Sequence, residues 1–132
     1  MLGDARVRPI LPVVDLQRAV QFYEERLGLK VIRYEEEPSK GAVVQAGNGT
    51  SFYLYERNST RADHTVAGFV VDDVDAVVDG LKRRGVVFED YDSPDLRTTD
   101  HIAVFRTSAG DAKAAWFKDS EGNILDVTDF PL

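Results

Sequence analysis

The chain has 132 residues, 43% of them hydrophobic, which suits one compact globular domain with its own core and excludes global disorder. A formal charge of -7 argues for solubility and against a phosphate-binding surface, so nucleic acid is not an expected partner, while a cationic small molecule is compatible. With no cysteine, disulfides, thiolate metal sites and cysteine nucleophiles are all excluded. The first residues lack the apolar core of a signal peptide and no apolar run reaches membrane-spanning length, so the expected setting is cytoplasmic, with no membrane partner.

Residues 7–14 predict a first strand. Pro9 and Pro12 lie inside it, so it should have one unpaired side or begin late. Asp15 is placed to cap a helix whose apolar stripe is Leu16, Ala19, Val20, Tyr23 and Leu27, and Gly28 ends that helix. Strands follow over 29–34, 42–46 and 51–56, with a turn at 38–41 and a hairpin signal at Gly47-Asn48-Gly49. The acidic run Glu35-Glu36-Glu37 reads as a solvated hairpin end.

Residues 58–63 predict a polar linker, and the pattern then returns. A strand over 64–71 leads to Asp72 or Asp73 as a cap, then to a helix with a core face of Val74, Val77, Val78 and Leu81, ended by Gly85. Residues 86–91 predict a strand and 92–100 a long polar loop, read as mobile with a lid as the other option. Residues 102–105 predict a short extra strand with no counterpart in the first half, and 112–118 and 124–128 close the chain. Trp116 and Phe117 are neighbours on a strand, so they must point to opposite faces. Asp15 aligns with Asp73 at an offset of 58, and Gly28 with Gly85 at 57, so one residue of slippage separates the two copies of an internal repeat.

The stretches Val14-Asp15-Leu16, Phe22-Tyr23 and Leu27-Gly28-Leu29, with Val71-Asp72-Asp73-Val74 and the closing Trp116-Phe117-Lys118-Asp119-Ser120-Glu121-Gly122-Asn123-Ile124-Leu125, resemble the vicinal oxygen chelate superfamily. That group includes glyoxalase I, extradiol dioxygenases, fosfomycin-resistance enzymes and bleomycin-binding proteins. The resemblance covers roughly residues 6–130 and implies an α+β fold of two βαβββ modules, about 6–57 and 64–130. It implies that their eight strands curl into a mixed-sheet cup with helices outside, commonly in a homodimer. Fold alone does not decide function.

The resemblance also implies a divalent metal held by one ligand on the first and one on the last strand of each module. Counting seven residues back from Asp15 and Asp73 lands on Arg8 and Val66; the other two positions fall near Tyr53 and on Asp126. A guanidinium has no lone pair to donate, valine cannot ligate, and tyrosine is a poor default. The metal site therefore reads as lost, and no cofactor is expected. A displaced site of His64, Glu56 and Asp126 stays open as the alternative, and with it a metal-dependent lyase or dioxygenase.

Alternation along the strands places Arg8, Tyr53, Tyr55, Val66 and Asp126 on the ligand face, with Trp116 as a further candidate, a lining suited to a small molecule. Arg8 can hold a carboxylate or phosphate, and Asp126 an amine. Equally, Arg8 and Asp126 can pair with each other, which would favour an accessory protein with a vestigial pocket. The reading preferred from the sequence is a metal-independent small-molecule binding protein of the bleomycin-resistance-like branch.

Overall fold

A computed structural model describes residues 1–34, 40–59 and 63–130. They fall into two units, Met1–Arg61 and Ala62–Leu132. The first contains β1 (Ile10–Val13), α1 (Leu16–Gln21), a wide helical turn at Phe22–Arg26, β2 (Lys30–Tyr34), β3 (Gly41–Gln45) and β4 (Ser51–Glu56). The second contains β5 (Thr65–Val70), α2 (Val74–Arg83), β6 (Ala103–Thr107), β7 (Gly110–Lys118) and β8 (Ile124–Thr128). Each unit is thus one βαβββ module, in the order expected from the repeat. The eight strands are divided between two four-stranded mixed sheets, ordered β1-β4-β3-β2 and β5-β8-β7-β6. In each sheet the first strand runs parallel to the fourth and the remaining pairs are antiparallel. The acidic run at 35–37 and the first half of the predicted 38–41 turn lie outside the described residues, as does the centre of the predicted linker.

Both helices start on the aspartate that the spacing picks out. The Asp15 carboxylate accepts the Arg18 N–H at 3.1 Å, and Asp73, rather than Asp72, accepts the Ala76 N–H at 3.0 Å. Both end on a glycine in the left-handed region, Gly28 at φ 69° and Gly85 at φ 89°. Between cap and glycine the first module has one residue more than the second. The wide turn absorbs it: Phe22–Arg26 is π-helical, and the Leu27 N–H reaches back five residues to the Phe22 carbonyl at 3.3 Å. The slippage in the repeat is therefore a single extra residue taken up inside one helix.

Leu16, Ala19, Val20 and Tyr23 bury their side chains on the sheet face that carries Ala42 and Val44 of β3 and Phe52 and Leu54 of β4, and Leu11 and Val13 of β1 are buried as well. Tyr23 is fully buried and packs edge-on against Phe52, their ring centroids 5.2 Å apart. In the second module Val74 and Val78 meet the face carrying Ala115, Phe117, Leu125 and Val127. Each large aliphatic side chain removed from water in this way contributes about 1.5–3 kcal/mol. Val77 and Leu81, expected in the same core, are only half-buried.

Three strand predictions need correction. The first strand is shorter than 7–14, because regular pairing begins only after Pro9. β1 lies at the end of its sheet, where the missing N–H of Pro12 interrupts no ladder. In the second module 86–91 is not a strand, and 102–105 is not an extra one. Phe88 makes a single bridge to Phe117, the chain leaves the edge of β7, and it returns so that Ala103 pairs with Ala114. One edge of β7 thus receives both segments, and β6 is the counterpart of β2. The intervening loop is tied to itself. The Tyr91 N–H donates to Thr98 Oγ1 at 2.9 Å, the Thr98 N–H to the Tyr91 carbonyl at 2.9 Å, and His101 Nδ1 lies 2.9 Å from the Asp90 carboxylate across its base.

The closing turn is built on a buried acid. The Asp119 carboxylate accepts from the Glu121 N–H at 2.8 Å and from the Asn123 N–H and side-chain amide, both at 2.9 Å. That satisfies against each other the two buried polar residues among the described ones, Asp119 and Asn123. Among the described residues no helix is long and apolar enough to cross a membrane.

Candidate functional site

In each sheet one face packs on its helix, and the residues of the other face are only partly covered. In the first module that open face has two cross-strand rows, Ile10–Tyr53–Val43–Ile32 and Pro12–Tyr55–Gly41–Tyr34. Tyr53 is held from two sides. Arg8 stacks its guanidinium 4.9 Å from the ring centroid, and the ring's hydroxyl end leans over Gly41, where any side chain would collide with it. The absent Cβ at Gly41 is therefore what lets Tyr53 lie down on the sheet. Tyr55, one row further on, accepts a long hydrogen bond from Arg57 Nη1 at 3.5 Å.

The second module repeats this arrangement with different chemistry. Ile10 plus the repeat offset of 58 is Gly68, and Gly68 pairs with Asp126 as Ile10 pairs with Tyr53. Tyr53 and Asp126 are thus equivalent positions on the fourth strand of each module. The Asp126 carboxylate fills the space next to Gly68, which again lacks the Cβ that would obstruct it. It makes no hydrogen bond or ion pair with another described residue, and burial pushes its pKa above the usual carboxylate value.

Trp116 is directly opposite Asp126 on β7 and shares its face. The indole N–H reaches across β8 to donate to Thr65 Oγ1 at 3.2 Å. Tyr91 and Phe105 stand edge-on to the indole, with centroids 5.5 and 6.3 Å away. Burial, and secondarily the negative charge of Glu89, holds the Tyr91 hydroxyl above its ordinary pKa, so it remains protonated and able to donate. The second module therefore presents a half-buried carboxylate beside an aromatic corner.

Of the residues singled out from the sequence, the structure groups Arg8, Tyr53 and Tyr55 on the first open face, and Trp116 and Asp126 on the second. Val66 falls in the irregularity between Thr65 and Ala67 on β5, beside this row and not in it. Tyr91 and Phe105 were missed. Tyr91 belongs to a segment read as a strand and Phe105 to one read as an extra strand, so their meeting at Trp116 had no local signal.

The four positions that the family resemblance assigns to a metal hold a guanidinium, a phenol, an isopropyl group and one carboxylate, and this donor set does not fit a divalent ion. The displaced set fits no better. The Glu56 carboxylate accepts the Leu16 N–H at 3.1 Å at the start of α1. His64 is exposed beside Asp63, at 3.9 Å. It lies four residues from Gly68, the partner of Asp126, about 13 Å along an extended strand, whereas donors to one ion must lie within about 4–5 Å of each other.

The model of the Glyoxalase/Bleomycin resistance protein/Dioxygenase superfamily matches residues 6–127. The chain belongs to this superfamily. Among solved structures, UcmS2 is similar over 95% of this chain and 98% of its own, at 19% identity and a TM-score of 0.70. The glyoxalase/bleomycin resistance protein from Catenulispora acidiphila is similar over 97% and 100%, at 23% identity and a TM-score of 0.64. The fosfomycin resistance protein FosX from Listeria monocytogenes, solved with Mn(II) and sulfate, is similar over 98% and 94%, at 16% identity and a TM-score of 0.62. At these identities the likeness concerns the fold. No curated protein matches the sequence.

Proposed function

We propose that this superfamily member is a metal-independent small-molecule binding protein that acts as a homodimer and holds its ligand on an open sheet face. The observation that carries the reading is Asp126: a half-buried carboxylate without a partner among the described residues, set beside the indole of Trp116. Such a group is stabilised by a cationic nitrogen, and a planar system attached to that nitrogen would stack in the corner made by Trp116, Tyr91 and Phe105. The first module's own open face carries a cation and an aromatic ring, Arg8 and Tyr53. The donor chemistry of Arg8 and Val66 supports independence from metal.

A thermal-shift screen of planar organic amines in the presence of EDTA tests this. Ligands should raise the melting temperature in EDTA as in its absence, by an amount that grows with saturation, and Asp126→Asn should abolish the shift. Stabilisation that requires an added divalent ion would overturn the reading. Light scattering of the same sample tests the homodimer.

A further inference from the structure

A cleft of about 610 Å³ opens in the first module between the segment before β1 and the β3–β4 turn, lined by Arg6, Val7, Arg8, Asn48, Gly49 and Ser51 together with Thr50. Two features mark it. First, it gathers two guanidiniums in a protein with a net charge of -7, where chance would place acids. Arg6 and Arg8 are two residues apart in the segment before Pro9, and both line the cleft. Neither makes an ion pair with another described residue; Arg8 is steadied only by the Tyr53 ring, which leaves the N–H groups in the plane of its fork available. Second, the facing wall supplies neutral hydrogen-bonding groups, the Asn48 amide and the Ser51 hydroxyl, which likewise bond to no other described residue. The turn that leads from Asn48 to Ser51 is closed by its own backbone. Asn48 and Gly49 are both left-handed, at φ 56° and 73°, and the Ala46 N–H closes the loop on the Thr50 carbonyl at 2.9 Å.

We infer that this cleft binds the dianionic head of a phosphomonoester. Two guanidinium forks match a double negative charge with bidentate, charge-assisted hydrogen bonds, and Asn48 and Ser51 can take a third oxygen. A carboxylate would use one fork and leave the other unneutralised. The volume exceeds that of phosphate alone, leaving room for the esterified group. The overall acidity of the chain excludes an extended phosphate-binding surface but not this local one. The site does not depend on the Asp126 reading, because none of its residues lies in the second module.

The experiment is an amide NMR titration of the intact protein with inorganic phosphate at pH 7.5, with acetate and sodium chloride at matched ionic strength as controls. Saturable shifts at Asn48, Gly49 and Ser51 are expected with phosphate. Arg6→Gln should weaken the apparent affinity about tenfold or more, while the amides of the second module stay unchanged in both proteins. Shifts that also follow sodium chloride, shifts unaltered by Arg6→Gln, or acetate binding as tightly as phosphate would each overturn the inference.

Discussion

Gly68 on β5 and Asp126 on β8 stand directly opposite each other, and the Asp126 carboxylate occupies the space that a side chain at Gly68 would require. The glycine thus decides where the acid can lie. The first module makes the same bargain between Gly41 and Tyr53.

Gly68→Ala should therefore destabilise the protein, by about 1–3 kcal/mol as an overpacking change, and should displace the carboxylate. In a double-mutant cycle with Asp126→Ala the two changes should be non-additive by more than about 0.5 kcal/mol, since shortening residue 126 makes room for the methyl group. Chemical denaturation of the four proteins measures this. Strict additivity would mean that the two side chains do not compete for the same space.

The pH dependence of stability follows from the direction of the Asp126 shift. Burial raises its folded pKa above the unfolded value, so the folded state holds the proton more tightly. The favourable contribution is complete below the unfolded pKa and is lost as pH rises through the folded one. Asp126→Asn should thus be more stable than the wild type at neutral pH, with the difference shrinking on acidification towards pH 3. Melting temperatures across that range read the sign. Where a cationic ligand is bound the order should reverse, because the ligand stabilises the charged acid.

Trp116 is the chain's one tryptophan, so its fluorescence reports the aromatic corner alone. The loop carrying Tyr91 is clasped at its base by Asp90 and His101, a partly exposed pair worth about 0.2–1 kcal/mol. His101→Ala should loosen that loop, move Tyr91 off the indole, and give a red-shifted emission with increased acrylamide quenching. The melting temperature should fall by no more than a few degrees. An unchanged spectrum would show that the Tyr91–Trp116 contact does not depend on the clasp.

What the sequence by itself determined lies within reach of a few residues along the chain. Asp15 and Asp73 cap their helices through N–H groups three positions away, Gly28 and Gly85 end them because their backbone requires φ above zero, and the two modules follow from the repeat. The alternation that put Tyr53, Trp116 and Asp126 on open faces is equally local. Only the tertiary structure decided which segment takes the edge of β7. Residues 86–91 and 103–107 both have strand-like patterns, and a polar loop between them leaves the choice to pairing partners distant in sequence. The same holds for Tyr91 meeting Trp116, for Glu56 turning to the start of α1, and for the glycines that admit Tyr53 and Asp126. These are contacts between strands and loops that sequence spacing does not encode.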